Sequence, residues 1–235
     1  MSVKVYADLM SQPARAIVLF CRAAGVPHEH IPIRIAKGEH TTDEYTTMNP
    51  LQKIPVIKDG DFTLTESVAM FRYLAREKDI ADHWYPKDSK AQARVDEYLE
   101  WQHLNTRMQC AGYFRARWLI PILKQKQPNE KLVAQLRKGM EECLDTIEKT
   151  WLKEGNQKFM CGDTISVADI LAACELEQPS MAGYDVRKDR PILSSYMTRV
   201  KDILNPHYDE VHTAVYKMTK KFGGKIPGVT DTKEN

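Results

Sequence analysis

Near residue 80 the hydrophobic pattern of this chain changes its period, and no other feature of the sequence restricts the fold as much. Before that point, runs with the two-residue period of a strand alternate with stretches at helical spacing; after it, only helical spacing remains. Val3, Val5 and Ala7 alternate with Lys4, Tyr6 and Asp8, as in a half-buried strand. Pro13 stands where a first-turn proline is tolerated, and Ala14, Ile17, Val18, Cys21 and Ala24 recur along one helical face until Gly25 and Pro27 end it. A second strand is expected over 30–35. Thr41 or Thr42 caps a short helix to Met48, with Asp43 and Glu44 in its first turn and Asn49-Pro50 as its stop. Strands over 54–58 and 62–65 flank Asp59-Gly60, a hairpin pair tolerant of positive φ, and Ser67 is placed to cap a helix over 68–78.

The resulting order, β-α-β-α-β-β-α over 1–80, is a small α/β unit. Residues 79–88, with Pro86 and the aromatics Trp84 and Tyr85 expected at the surface, read as a linker. An all-α unit follows over 89–222. It begins with one long helical segment over 89–119 stopped by Pro121, then one marked by Leu132, Leu136, Met140, Cys143, Leu144, Ile147 and Trp151. Asn205-Pro206 opens the last helix, striped by Val211, Ala214, Val215 and Met218. Ser166 and Asp169 have the spacing of a capping box, with Ile165 and Ile170 at the staple positions, which is a folding signal rather than a catalytic one. Residues 223–235 carry almost nothing to bury and are expected to form a mobile tail.

Composition excludes several kinds of function. Lys plus Arg at 34 against Asp plus Glu at 32 gives +2, too balanced for a protein that binds nucleic acid by neutralising phosphates. A mean hydropathy of −0.49 leaves no room for a membrane bundle. The five cysteines are odd in number and widely spaced, with no C-x-x-C pair and no histidine at zinc-ligand spacing, so neither a disulfide framework nor a metal site is expected. The amino terminus lacks a cationic segment leading into a long apolar run, which points to a cytoplasmic protein.

Chemistry concentrates in three short segments. Ser11 lies in the turn between the first strand and the first helix, where helix amides attract anions; it either caps the helix or donates to a ligand, and nothing nearby activates it as a nucleophile. In Gln52-Lys53-Ile54-Pro55-Val56, a proline opening a strand is either cis, turning the preceding backbone outward to pair with a peptide, or part of an ordinary edge. Glu66 and Ser67, at a helix start, suit an ammonium and a carboxylate respectively, or form a plain cap. With His40 and Lys53, these positions match a peptide bearing two carboxylates, an amine and a thiol.

The chain resembles the cytosolic glutathione transferases of the theta class, most closely its insect members. The resemblance covers nearly all of residues 1–222 and is carried by Asp8-Leu-Met-Ser-Gln-Pro-Ala-Arg15, Gly38-Glu-His40, Asn49-Pro-Leu-Gln-Lys-Ile-Pro55 and Asp59-Gly-Asp-Phe-Thr-Leu-Thr-Glu-Ser-Val-Ala69. In the helical part its carriers are Arg94-Val-Asp-Glu-Tyr-Leu-Glu-Trp-Gln-His103 and Ser166-Val-Ala-Asp169. It implies a thioredoxin-like domain, an all-helical domain and a homodimer. It implies that Ser11 holds the glutathione sulfur, that His40 and Lys53 face the glycyl carboxylate, and that Ile54 pairs with the cysteinyl segment before cis-Pro55. Glu66 and Ser67 would hold the γ-glutamyl end, and Arg107 matches an arginine near the electrophile. The electrophile pocket is then expected between the domains, lined by Met10 and by the helix bearing Arg107, Met108, Ala111 and Arg115, although Met108 and Ala111 also fit the bundle core. The implied substrates are small halides and epoxides, with hydroperoxides as a side activity. Two other readings stay open at this level: a non-catalytic ligand-binding or interaction protein on the same fold, and an isomerase or dehalogenase that regenerates its glutathione.

Overall fold

The computed structural model describes residues 2–226. Four strands form one sheet in the order β2-β1-β3-β4: β1 (Val3–Ala7), β2 (His28–Pro32), β3 (Val56–Asp59) and β4 (Phe62–Leu64). β1 runs parallel to β2, with Val5 opposite His30, and antiparallel to β3, with Val5 opposite Ile57. The intervening helices are α1 (Gln12–Ala23), α2 (Asp43–Met48) and α3 (Ser67–Glu77). This is the βαβαββα order read from the alternating periods.

Local differences from that reading have local causes. β2 ends at Pro32, which has no N–H for the ladder, and Ile35 opens a 3-10 turn instead of extending the strand. Asp59 pairs with Phe62, so the hairpin's turn residues are Gly60 and Asp61, and of these only Gly60 has positive φ, at 61°. Of the two threonine candidates, Thr42 caps α2, its Oγ1 accepting from the Tyr45 amide at 3.3 Å.

Among the described residues seven more α-helices follow: α4 (Ser89–Gln102), α5 (Met108–Phe114), α6 (Ile120–Lys124), α7 (Glu130–Thr146), α8 (Val167–Glu177), α9 (Pro191–Leu204) and α10 (His207–Phe222). α4, α5 and α6 are one helical rod, interrupted by π-helical turns over His103–Arg107 and Arg115–Leu119. Pro121 does not stop this rod. It lies inside the rod just after the π-helical turn over Arg115–Leu119, where the regular hydrogen-bond ladder is already interrupted, and the rod ends at Gln125 in the left-handed conformation.

The core runs without a break through both parts. α1 packs against β1 and α3 in its own domain and against α8 and α10 beyond it. Burial therefore extends all round α1 over 12–21, wider than the single stripe its sequence shows. Trp84 and Tyr85 are likewise buried and not at the surface: Trp84 meets Phe20 edge-on at 6.1 Å, and the Tyr85 hydroxyl donates to Asp96 at 2.9 Å. α8 is buried along its whole length and starts with the expected capping box, in which the Ser166 amide donates to Asp169 at 2.9 Å. The chain beyond α10 returns to the helical domain. Trp118 Nε1 donates to the Lys225 carbonyl at 3.1 Å, and Gly224 abuts Gly183 so closely that a Cβ on Gly224 would lie 2.9 Å from the Gly183 Cα. Of the expected mobile tail, residues 227–235 lie outside the described residues.

All five cysteines are free, four buried and Cys161 half-buried. Burial pushes the Cys21 and Cys174 thiols up to about 12 and that of Cys143 up to about 11. Among the described residues there is no cluster of His, Cys, Asp and Glu able to hold a metal ion, and no helix long and apolar enough to cross a membrane.

Candidate active site

Ser11 is the residue before α1, with extended backbone at φ −89°, ψ 129°, and its hydroxyl makes no capping bond. The turn that carries it is pinned from below. Its amide donates to the Asp8 carbonyl at 2.9 Å, while the two Asp8 carboxylate oxygens accept from the Met10 amide at 2.9 Å and the Ile35 amide at 3.0 Å. Of the two roles open to Ser11 in the sequence, the capping one is therefore not taken, and the hydroxyl is left to the cleft it lines.

The cleft has a volume of about 540 Å³ and lies between the domains. On its thioredoxin-like side it gathers Ser11, His40, Lys53, Ile54, Pro55, Glu66 and Ser67, every residue of that set expected from sequence. The peptide bond before Pro55 is cis. Ile54 stands outside the ladder, whose first pair is Tyr6 with Val56, so the strand begins two residues later than its composition indicated. The loop before it is braced through one carbonyl: that of Lys53 accepts from Tyr45 Oη at 2.8 Å and from Asn49 Nδ2 at 2.7 Å. Glu66, not Ser67, is the residue capping α3, at φ 66°, ψ 111°, and it supplies no side-chain cap. The first amides of α3 are thus uncommitted at the cleft, next to an exposed carboxylate. His40 adds a buried Nδ1 with no partner among the described residues.

The helical wall differs from expectation. Arg107 and Arg115 line the cleft, joined by Gln102, His103, Leu171 and Glu175, whereas Met10, Met108 and Ala111 do not. Met108 is 53% exposed, and Met10 is partly buried against the core. The π-helical turn over His103–Arg107 widens the rod at this point, so a face projected along an unbroken α-helix selects the wrong side chains. Arg107 pairs with Glu175 at 2.7 Å, while Glu100 is taken by Arg72 at 2.8 Å. Burial raises the Glu175 carboxyl above its ordinary range, against the opposing pull of Arg107 and Arg15. Its one signal in the sequence is an acid inside the apolar run of α8. Gln102 and His103 stood in the sequence only within the Arg94–His103 segment that carries the resemblance, not as lining residues.

A peptide with two carboxylates, an amine and a thiol fits this donor set: cations and helix amides for the acids, Glu66 for the amine, and the Ser11 hydroxyl for the sulfur. Comparison with known proteins shows the family. Residues 1–76 match the model of the glutathione S-transferase N-terminal domain, and residues 113–202 match that of the C-terminal domain. Glutathione S-transferase theta-3 of Mus musculus is 41% identical over 92% of this chain and 90% of its own, and human theta-1 is 38% identical over the same shares. The apo form of human glutathione-S-transferase T1-1 superposes with a TM-score of 0.88 at 36% identity, covering 93% of this chain and 91% of that one. Human theta-2 in complex with glutathione and an unknown ligand gives 0.87 at 34% identity, covering 98% and 94%. The chain belongs to the glutathione S-transferase family. Within that family it is of the theta class, the class of the mammalian relatives that match it nearly end to end.

Proposed function

We propose that this chain conjugates reduced glutathione to small electrophiles, with Ser11 as the donor that keeps the sulfur ionised. The observation that carries this reading is the Ser11 hydroxyl, free of any capping bond, on a cleft that also holds His40, Lys53, Ile54, Pro55, Glu66 and Ser67. Glutathione supplies the thiolate, which forms a C–S bond at the electrophile as the leaving group departs with its electron pair. The protein's part is to stabilise that anion and orient its target. A thiol with an ordinary pKa of about 8.5 becomes mostly anionic at neutral pH if the pKa falls by roughly two units, which requires about 2.7 kcal/mol. A hydrogen bond from Ser11 to the charged sulfur contributes about 1.5–3 kcal/mol, and the start of α1 adds about 0.3–1 kcal/mol. The two together suffice, with no covalent bond to the protein.

In this reading His40 and Lys53 take the glycyl carboxylate, the Ile54 backbone pairs with the cysteinyl segment, and Glu66 with Ser67 holds the γ-glutamyl end. Arg107 and Arg115 face the electrophile, and halides and epoxides are the expected classes. Organic hydroperoxides are a side activity: sulfur takes one oxygen, an alcohol leaves, and a second glutathione reduces the sulfenic acid to yield disulfide and water. The same reading has the protein working in the cytoplasm as a homodimer, with domains over 1–80 and 89–222.

Ultraviolet titration of the bound thiolate in the wild type and in Ser11→Ala tests the assignment. The thiol pKa is expected to rise by one to two units, about the worth of the lost bond, and turnover of an alkyl halide to fall at least tenfold. An unchanged pKa with an unchanged rate overturns it. Glu66→Gln is expected to weaken glutathione binding while sparing hydrophobic ligands.

A further inference from the structure

Beneath the Ser11 turn lies a guanidinium with no solvent access and no ion pair. Arg15, on α1, is 0% exposed. Its Nη1 donates to the carbonyls of Leu9 at 2.9 Å and Met10 at 3.2 Å, the two residues immediately before Ser11. Its Nη2 donates across the domain boundary, to the Cys174 carbonyl of α8 at 3.0 Å and to Gln178 Oε1 at 2.6 Å. Gln178 closes the ring from the other side, its Nε2 donating to the Met10 carbonyl at 3.3 Å. No carboxylate lies within salt-bridge distance of Arg15 among the described residues, and its Nε is buried without a partner.

A buried charge whose hydrogen bonds all go to neutral acceptors, with Glu175 and Glu177 acting on it only from beyond contact, is a poor device for stability, since an apolar side chain of similar volume avoids the desolvation cost altogether. What the arrangement does fix is direction. Two consecutive carbonyls held by one planar fork set the peptide planes leading into Ser11, and hence the line along which its hydroxyl leaves the backbone. The same fork ties that turn to α8, and α8 also carries Glu175, which holds Arg107 on the opposite wall of the cleft. One helix therefore gauges both the sulfur's donor and the arginine facing it.

We propose that Arg15 and Gln178 are positioning residues that hold Ser11 at the angle and distance its hydrogen bond to the thiolate needs, and keep it in register with the helical wall. The inference rests on the role given to Ser11 above. Gln178→Leu, which keeps the volume and removes both of its bonds to the strap, tests it in the full-length protein, with Gln178→Glu as the conservative variant because it retains the acceptor for Arg15. The thiol pKa of bound glutathione is expected to rise by about half a unit to one unit in Gln178→Leu and less in Gln178→Glu, with kcat/KM down about three- to tenfold and glutathione Kd within about twofold of wild type. In a Ser11→Ala background, Gln178→Leu should shift the thiol pKa no further.

A Gln178→Leu protein that melts lower but keeps the wild-type thiol pKa makes the strap simple interdomain glue and overturns the proposal. So does a shift of full size in the Ser11→Ala background, since the strap would then act on the sulfur by another route. If Ser11→Ala alone leaves the pKa unchanged, it is the role of Ser11 that fails. If that variant shifts the pKa and Gln178→Leu does not, only the strap does.

Discussion

Glu66 is held at φ 66°, ψ 111°, a conformation that side chains with a Cβ rarely adopt, at the point where the sheet hands over to α3. Glycine relieves that strain but widens the unfolded ensemble, so Glu66→Gly is expected to be more stable than wild type by about 0.5–1.5 kcal/mol in urea titration. Glutathione binding should weaken at least tenfold in the same variant, because the carboxylate proposed to face the amine is gone. Opposite signs on the two measurements would show backbone strain kept for a ligand. The residues of this neighbourhood were legible because the signals are local: Ser11 precedes a helix with proline in its first turn, His40 follows Gly38, and Glu66 and Ser67 straddle a strand-to-helix junction. What the sequence hid was the committing geometry. A serine before a helix normally caps it, and nothing in the letters says that Ser11 does not.

At the scale of elements, α10 contains a histidine that works against acid. His212 is fully buried, its ring 4.3 Å from that of Tyr208 and 6.0 Å from that of Tyr216, with Nδ1 at 2.8 Å from the Tyr208 carbonyl. Burial, and then the charges of Arg15, Arg187 and Lys201, hold its pKa well below the ordinary value of 6.5. The unfolded chain thus binds a proton that the fold refuses, so the contribution of His212 to stability is complete above about pH 6.5 and is lost as the pH falls below it. Between pH 7.5 and 5.5 the loss amounts to about 1.4 kcal/mol. His212→Phe keeps the ring and removes the titration; the gap in unfolding free energy between it and wild type should shift in its favour by that amount across the same interval, measured by denaturant titration at the two pH values. Helix α10 itself was legible from its stripe of Val211, Val215 and Met218, as was the capping box of α8. The π turns in the α4–α6 rod were not, because inserting a residue into a helix changes the phase without changing the apolar content, and for that reason the side chains on the helical wall of the cleft differ from those expected.

For the molecule as a whole, the two-part architecture follows from the change of period near residue 80, but the seam between the parts does not, since periodicity reports that a face is buried and not what covers it. Arg15 and Phe20 on α1, and Trp84 in the connection, are buried by partners distant in sequence. The same holds at the far end, where Gly183 and Gly224 bring two backbones into contact. Gly224→Ala would place a methyl group 2.9 Å from the Ala182 carbonyl at a φ of 82° and is expected to cost about 2–3 kcal/mol, with a change in Trp118 fluorescence as its bond to Lys225 is released. Finally, the cysteines bear on what such a protein must survive. Burial pushes every one of its thiols toward the protonated form, so in a solution of reagents that alkylate thiolates the scaffold's own cysteines are poor targets beside a sulfur that arrives from outside and leaves with its cargo.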